Sequence, residues 1–140
     1  MQTVRASGSL IQDRYRIVKM LGQGGSGTTY QAQDCLTGYY VALKELSLKG
    51  LKDWKQLELF EREAQVLAGL DHPAIPNYVD YFQVDFDNDR CFYIVQALAA
   101  GHSLANLVAE GVHFSEADAR YIASEILQIL DYLHSLNPPI

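Results

Sequence analysis

The spacing around one glycine cluster limits the fold of this chain more than any other feature of its sequence. Residues 22–27 read Gly-Gln-Gly-Gly-Ser-Gly, a glycine spacing that several nucleotide-binding folds share. Only 13 residues separate Gly27 from Val41, and they alternate like a strand around a turn-like segment at 34–38. A dinucleotide fold needs a helix directly after the glycines, and a P-loop needs Gly-Lys-Ser/Thr where this chain has Thr28. The glycines are therefore predicted to cap a β-hairpin, where backbone N–H groups can close over phosphates. A plain flexible hairpin without a ligand is the alternative.

The order of the remaining segments favours the α+β class. Alternating apolar residues predict strands at 15–21, 28–33, 39–46, 77–84 and 91–97, and helical periodicity predicts helices at 52–70, 103–109 and 115–136. Short connections make the strands antiparallel. We therefore expect a five-stranded antiparallel sheet with one packed helix, followed by two further helices.

Composition narrows the class of protein. The 140 residues are 49% hydrophobic and 20% charged, which supports a real core and excludes a disordered chain. No apolar run is long enough for a membrane span and the first ten residues lack a signal-peptide pattern, so a cytoplasmic location is expected. A net charge of −6 argues against nucleic acid. Cys35 and Cys91 stand apart without metal-ligand spacing, and no metal site is predicted.

Two charged residues lie at positions of the predicted strand and helix where an uncharged side chain would be expected. In the third strand, a period of two places Lys44 with Ala42 and Tyr40, on the face opposite Val41. Glu63 falls inside the apolar arc of the helix at 52–70, where a carboxylate is costly unless it is paired. A helix docked on the sheet would bring Glu63 near the lysine. The alternatives are a lysine that points to solvent and a glutamate whose side chain extends past the apolar surface to reach water.

The last helix has a wide apolar side that the rest of the chain does not cover. Its members are Ala119, Ile122, Ile126, Ile129, Leu130, Leu133 and Leu136. Because large apolar patches mark interaction surfaces, residues 119–136 are predicted to take part in self-association or to bind a partner protein.

Taken together, the motifs resemble those of the protein kinases, most closely the bacterial serine/threonine kinases. The resemblance covers residues 13–140 and rests on five segments in the family's order: the glycine cluster with Tyr30, 41–44 (Val-Ala-Leu-Lys), 62–76, 92–95 leading to 101–104, and 129–134. It implies a kinase N-lobe at 11–98 after a polar tail at 1–10, and the start of a C-lobe at 99–140. It also implies ATP and Mg²⁺ as cofactors and a protein as substrate.

The resemblance further implies a role for each matching residue. Lys44 would contact the ATP phosphates and pair with Glu63, and Gln96 would be the gatekeeper beside the adenine. The residues implied to line the ATP site are Leu21, Gly22, Gly24, Gly25, Gly27, Thr29, Ala42, Lys44, Gln96, Ala97 and Ala99. Thr29 departs from the usual valine, and Ala97 from a commonly acidic residue. Leu67 and Tyr78 would join the apolar column between the lobes.

The same resemblance limits the activity expected of these 140 residues. Neither the family's His-Arg-Asp catalytic loop nor its Asp-Phe-Gly metal motif occurs in the sequence. We therefore expect the chain to supply the ATP-binding portion of a serine/threonine protein kinase and to be inactive alone, with the Mg²⁺ ligands expected beyond Ile140. The alternatives are a kinase-like module that docks a partner through its last helix, and a nucleotide sensor without chemistry.

Overall fold

The computed structural model describes residues 4–140 and divides them into two compact units. The first unit comprises the chain up to Asp71 together with Pro76–Ala99, and the second comprises His72–Ile75 and Ala100–Ile140. The first unit contains all the strands and one helix, and the second contains the other two helices.

The first unit is built on a single antiparallel sheet. Its strands are β1 (Leu10–Ile11), β2 (Tyr15–Gly24), β3 (Gly27–Asp34), β4 (Tyr40–Ser47), β5 (Tyr78–Phe86) and β6 (Asp89–Ala97), in the order β1-β2-β3-β4-β6-β5. The α+β class and the antiparallel sheet are confirmed. The expected number of five strands is wrong, because a two-residue strand at Leu10–Ile11 is too short to give a periodic signal and is set only by its pairing with β2.

One face of the sheet encloses an aromatic and aliphatic core. Tyr15 stacks on Phe82, which in turn stacks on Tyr93, with ring centroids 5.7 and 5.1 Å apart. The buried members of this cluster are Ile11, Tyr15, Ile17, Tyr30, Ala32, Val41, Leu43, Cys91, Tyr93 and Val95. Because successive residues of a strand point to opposite faces, the alternate residues of β3 and β4 point away from this core, to the other side of the sheet.

Helix α1 (Trp54–Ala68) packs on that other side. The Asp53 side chain caps its first turn by accepting a hydrogen bond from the Lys55 N–H. Phe60 and Ala64 are buried against Leu46, Phe92 and Ile94 of the sheet. Leu59 is 51% exposed, because the sheet covers a narrower stripe of the helix than the apolar arc spans.

The second unit consists of helices α2 (Leu104–Ala109) and α3 (Glu116–Ser135) with their connecting segments. Ser115 and Asp118 form a capping box, each side chain accepting a hydrogen bond from the other's backbone N–H. The His72 ring packs against Tyr132 at 5.0 Å. Neither helix buries a residue. Across residues 4–140, no helix combines the length and apolarity that crossing a membrane requires.

Candidate functional site

The glycine cluster forms the predicted hairpin between β2 and β3. Gly24 pairs with Gly27, and Gly25 and Ser26 make the two-residue turn between them. Gly27 has a φ of +123°, and a Cβ there would lie 2.2 Å from the carbonyl oxygen of Glu45. That position therefore requires glycine, whereas Gly22, Gly24 and Gly25 face open space. The hairpin is therefore constrained at Gly27 and uncrowded at its other three glycines.

Cross-strand pairing places the predicted site residues on one face of the sheet. Gly22 pairs with Thr29, and Thr29 with Lys44. Two residues from Lys44 on the same strand, Ala42 pairs with Gln96. Directly paired residues share a face, and Ala42 and Lys44 are two positions apart on β4, so all five lie on the face opposite Leu43 and the aromatic core. Leu21 lies beside them at a register shift in β2, nearly half exposed.

Lys44 and Glu63 are in direct contact. The Nζ atom of Lys44 lies 2.8 Å from Oε2 of Glu63, which joins the middle of β4 to α1. The lysine side chain is 22% exposed and the glutamate 41%. Although Glu63 falls inside the predicted apolar arc, it is only partly buried, because it lies at the edge of the helix–sheet contact. A pair this accessible adds at most about 1 kcal/mol to stability, so its main physical effect is to hold the ammonium group in place.

Two further residues of α1 reach the same face, and sequence reasoning missed both. The Lys44 ammonium lies 5.8 Å from the centroid of the Phe60 ring, within the range of a cation–π contact. Gln56 donates from Nε2 to the carbonyl oxygen of Gly25 at 2.7 Å. A signal for Gln56 was present, since Asp53-x-x-Gln56 matches the start of a capped helix.

The end of β6 carries the residues implied to meet an adenine. Gln96 is half-buried and donates from Nε2 to the carbonyl oxygen of Pro76 at 3.3 Å. The Ala97 N–H donates to Asn77 O at 2.8 Å, so only its carbonyl group could serve a ligand. Ala99 is exposed. Ala97 is the last residue of β6 and pairs with Val41, which gives its backbone a defined place beside Ala42.

A polar cluster lies on the opposite face of the sheet, behind Lys44. Glu45 is buried and accepts hydrogen bonds from Arg5 Nε at 2.9 Å and from the Tyr93 hydroxyl at 2.5 Å. Burial raises the pKa of Tyr93 well above its usual range, and burial raises the pKa of the neighbouring Cys91 thiol to about 12. Cys91 is therefore a neutral thiol near pH 7 and no nucleophile. No sequence pattern pointed to Arg5, which belongs to the segment predicted as a tail.

No cluster of three or more His, Cys, Asp or Glu side chains within residues 4–140 has the geometry to hold a metal ion. The candidate site consists of backbone groups, small side chains and the Lys44–Glu63 pair. Such a set suits the phosphates and flat ring of a nucleotide, since it offers donors and one positive charge beside an uncrowded surface.

Comparison with known proteins assigns the class. The family profile described as protein kinase domain matches residues 15–137, which is most of the chain. The chain therefore belongs to the protein kinase family, and the resemblance read from the motifs is confirmed.

Curated relatives narrow the comparison to serine/threonine kinases. Serine/threonine-protein kinase B of Synechocystis is 36% identical over 96% of this chain, and serine/threonine-protein kinase F of the same organism is 36% identical over 89%. The probable serine/threonine-protein kinase YbdM of Bacillus subtilis is 30% identical over 91% of the chain. The matched region makes up 24%, 28% and 49% of these relatives respectively, so the chain spans about a quarter to a half of their length.

Proposed function

We propose that this chain is the ATP-binding portion of a serine/threonine protein kinase, which transfers the terminal phosphoryl group of ATP to a protein hydroxyl. The observation that carries the proposal is the 2.8 Å contact between Lys44 and Glu63, on the sheet face that also presents the glycine hairpin. Membership of the kinase family and the names of the relatives support the same conclusion.

Each group would act on a different part of the nucleotide. Glu63 holds the Lys44 ammonium over the sheet face, where it would meet the α- and β-phosphates. Backbone N–H groups of the hairpin at 22–27 would close over the phosphates, as the open space at Gly22, Gly24 and Gly25 permits. The adenine would lie against Leu21, Thr29 and Ala42, with its edge on the backbone of Ala97 and Ala99 beside Gln96.

Mg²⁺ supplies charge neutralisation in phosphoryl transfer when it is bound to ATP. The described residues do not fit it, since none of their acidic, histidine or cysteine side chains form a suitable cluster. No role in this proposal is therefore assigned to a metal held by this chain. The His-Arg-Asp and Asp-Phe-Gly motifs are likewise not among the 140 residues, and we propose that the chain alone binds ATP weakly and transfers no phosphoryl group.

Isothermal titration of the chain with ATP tests the proposal. We expect weak binding that falls about tenfold or more in Lys44→Met, because a charge-assisted phosphate contact contributes about 1.5–3 kcal/mol. Lys55→Met is the matched control, since Lys55 is exposed on α1 and forms only a 3.7 Å surface pair with Glu58. Equal ATP affinity of wild type and Lys44→Met would contradict the proposal. Lys44-dependent phosphorylation of a protein by the pure chain would contradict the inactivity.

A second candidate function is a docking module that binds a partner or a second copy through residues 119–136. The exposure of Ile126, Leu127 and Leu130 on α3 favours it. Sedimentation of the pure chain at rising concentration separates the candidates, because self-association through this face would appear as dimers that Ile126→Glu abolishes. A monomer at all concentrations would count against self-association.

A further inference from the structure

One side chain of α1 reaches the tip of the glycine hairpin. Gln56 Nε2 donates to Gly25 O at 2.7 Å, a contact between residues 31 positions apart. The other end of the same amide, Oε1, accepts a hydrogen bond from the Lys52 N–H at 3.0 Å. Because both ends of the amide are engaged, the orientation of Gln56 is defined by the hairpin on one side and by the segment before α1 on the other.

The position of Gln56 on the helix connects this contact to the lysine. Gln56, Phe60 and Glu63 are spaced i, i+4 and i+7 and therefore lie along one side of α1. Phe60 packs near the Lys44 ammonium and Glu63 pairs with it. One side of one helix thus contacts both the tip of the hairpin and the lysine of β4.

We propose that Gln56 is a positioning residue that fixes the glycine hairpin relative to Lys44, so that both address the phosphates of one nucleotide. The proposal rests on the proposed function, because the phosphates belong to the ATP assigned there. The hairpin tip is the two-residue turn Gly25-Ser26, and Gly25 has no neighbour within 4 Å of a Cβ position. Without the Gln56 contact this tip would sample more conformations, and ordering it on binding would lower affinity.

Gln56→Glu isolates the contact with the hairpin. It has nearly the same shape and keeps the oxygen that accepts from Lys52, but it replaces the donor to Gly25 with a carboxylate oxygen that repels the carbonyl group. A glutamate in the first turn also favours the helix, so the variant is expected to fold. Gln65→Glu is the matched control, because it makes the same chemical change at an exposed position of the same helix.

The first measurement is amide hydrogen exchange at Gly25, Ser26 and Gly27 in the nucleotide-free chain. Gln56→Glu is expected to raise exchange at the tip about fivefold, the effect of losing one hydrogen bond. Gln65→Glu should leave it at the wild-type rate. Unchanged exchange in Gln56→Glu would overturn the proposal, since the contact would then not restrain the hairpin.

The second measurement compares the affinities for ATP and adenosine. The affinity of Gln56→Glu for ATP should fall about fivefold, while its affinity for adenosine stays at the wild-type value, because the hairpin acts on the phosphates. Equal losses for both ligands, or no loss for ATP, would overturn the positioning role. Failure of the wild-type chain to bind ATP would instead overturn the proposed function, and the phosphate role with it.

Discussion

The two units of the molecule use their apolar residues in opposite ways. The first unit buries its apolar side chains in two clusters, one on each face of the sheet. In the second unit, neither α2 nor α3 buries a residue, although six of the seven residues on the predicted apolar side lie within α3. The sheet unit therefore has its own core, whereas the helices of the second unit depend on their caps and local contacts.

The proposed site follows the same division. Every residue assigned to ATP belongs to the first unit, from Leu21 to Ala99. The rigid sheet defines which residues share a face, and α1 adds Glu63 and Gln56. A site on elements with a packed core is held more accurately than one on isolated helices. Substitutions in the two units should therefore differ sharply in effect.

The largest expected difference comes from truncating a leucine in each unit. Leu43→Ala removes a fully buried side chain from the core and is expected to lower the free energy of unfolding by about 3 kcal/mol. Leu127→Ala on α3, where the side chain is 64% exposed, should change it by less than about 0.5 kcal/mol. Urea unfolding followed by circular dichroism measures both. A comparable loss in Leu127→Ala would show that this side chain of α3 is buried and would contradict the difference between the two units.

Two glycine substitutions compare a crowded position of the hairpin with an uncrowded one. Gly27→Ala should cost about 2–3 kcal/mol, because φ is +123° and the new Cβ would meet the carbonyl of Glu45. Gly24→Ala should cost less than about 1 kcal/mol, since nothing lies within 4 Å of its Cβ position. Thermal unfolding of both variants tests the difference. Equal melting temperatures would mean that the backbone around Gly27 shifts to accommodate the new Cβ atom.

Acid should destabilise the sheet unit through Asp34. The Arg14 side chain donates two hydrogen bonds to this buried carboxylate, and they hold its pKa at about 2, below the ordinary 3.8. A depressed pKa contributes stability that is full above about pH 4 and is lost as pH falls towards 2, here about 2 kcal/mol. Urea unfolding at pH 5 and pH 2 measures this loss.

Removing either partner of this ion pair should reduce the loss of unfolding free energy in acid. Both Asp34→Asn and Arg14→Gln are expected to show about 2 kcal/mol less change between pH 5 and pH 2 than wild type, although both start less stable. An unchanged slope in both variants would assign the acid sensitivity to other groups.

The smallest effect is expected at the cap of α3. Ser115→Ala removes the hydroxyl that accepts from the Asp118 N–H and should cost about 1 kcal/mol of helix stability. Ser124→Ala, at an exposed position inside the same helix, should be neutral or slightly stabilising because alanine favours helix. Helical ellipticity on heating checks the pair. A larger loss from Ser124→Ala would contradict the capping assignment.

Local patterns predicted most of this arrangement, and longer-range contacts account for what they missed. Alternation in β4 predicted that Lys44 and Val41 point to opposite faces, and helical periodicity predicted the start of α3. The partner of Lys44 was also predictable, since Glu63 interrupts an apolar arc. Strand β1 and the Arg5–Glu45 ion pair were not, because each depends on residues distant in sequence that only the folded sheet brings together.

The claim that Lys44 and the glycine hairpin bind ATP is tested most directly by titrating the isotopically labelled chain with ATP and monitoring its backbone amide chemical shifts. We expect shifts concentrated at the hairpin of residues 22–27, at Lys44 in β4 and at Ala97 and Ala99, and we expect these shifts to be lost in Lys44→Met. Shifts confined to the second unit, or an identical pattern in wild type and Lys44→Met, would contradict it.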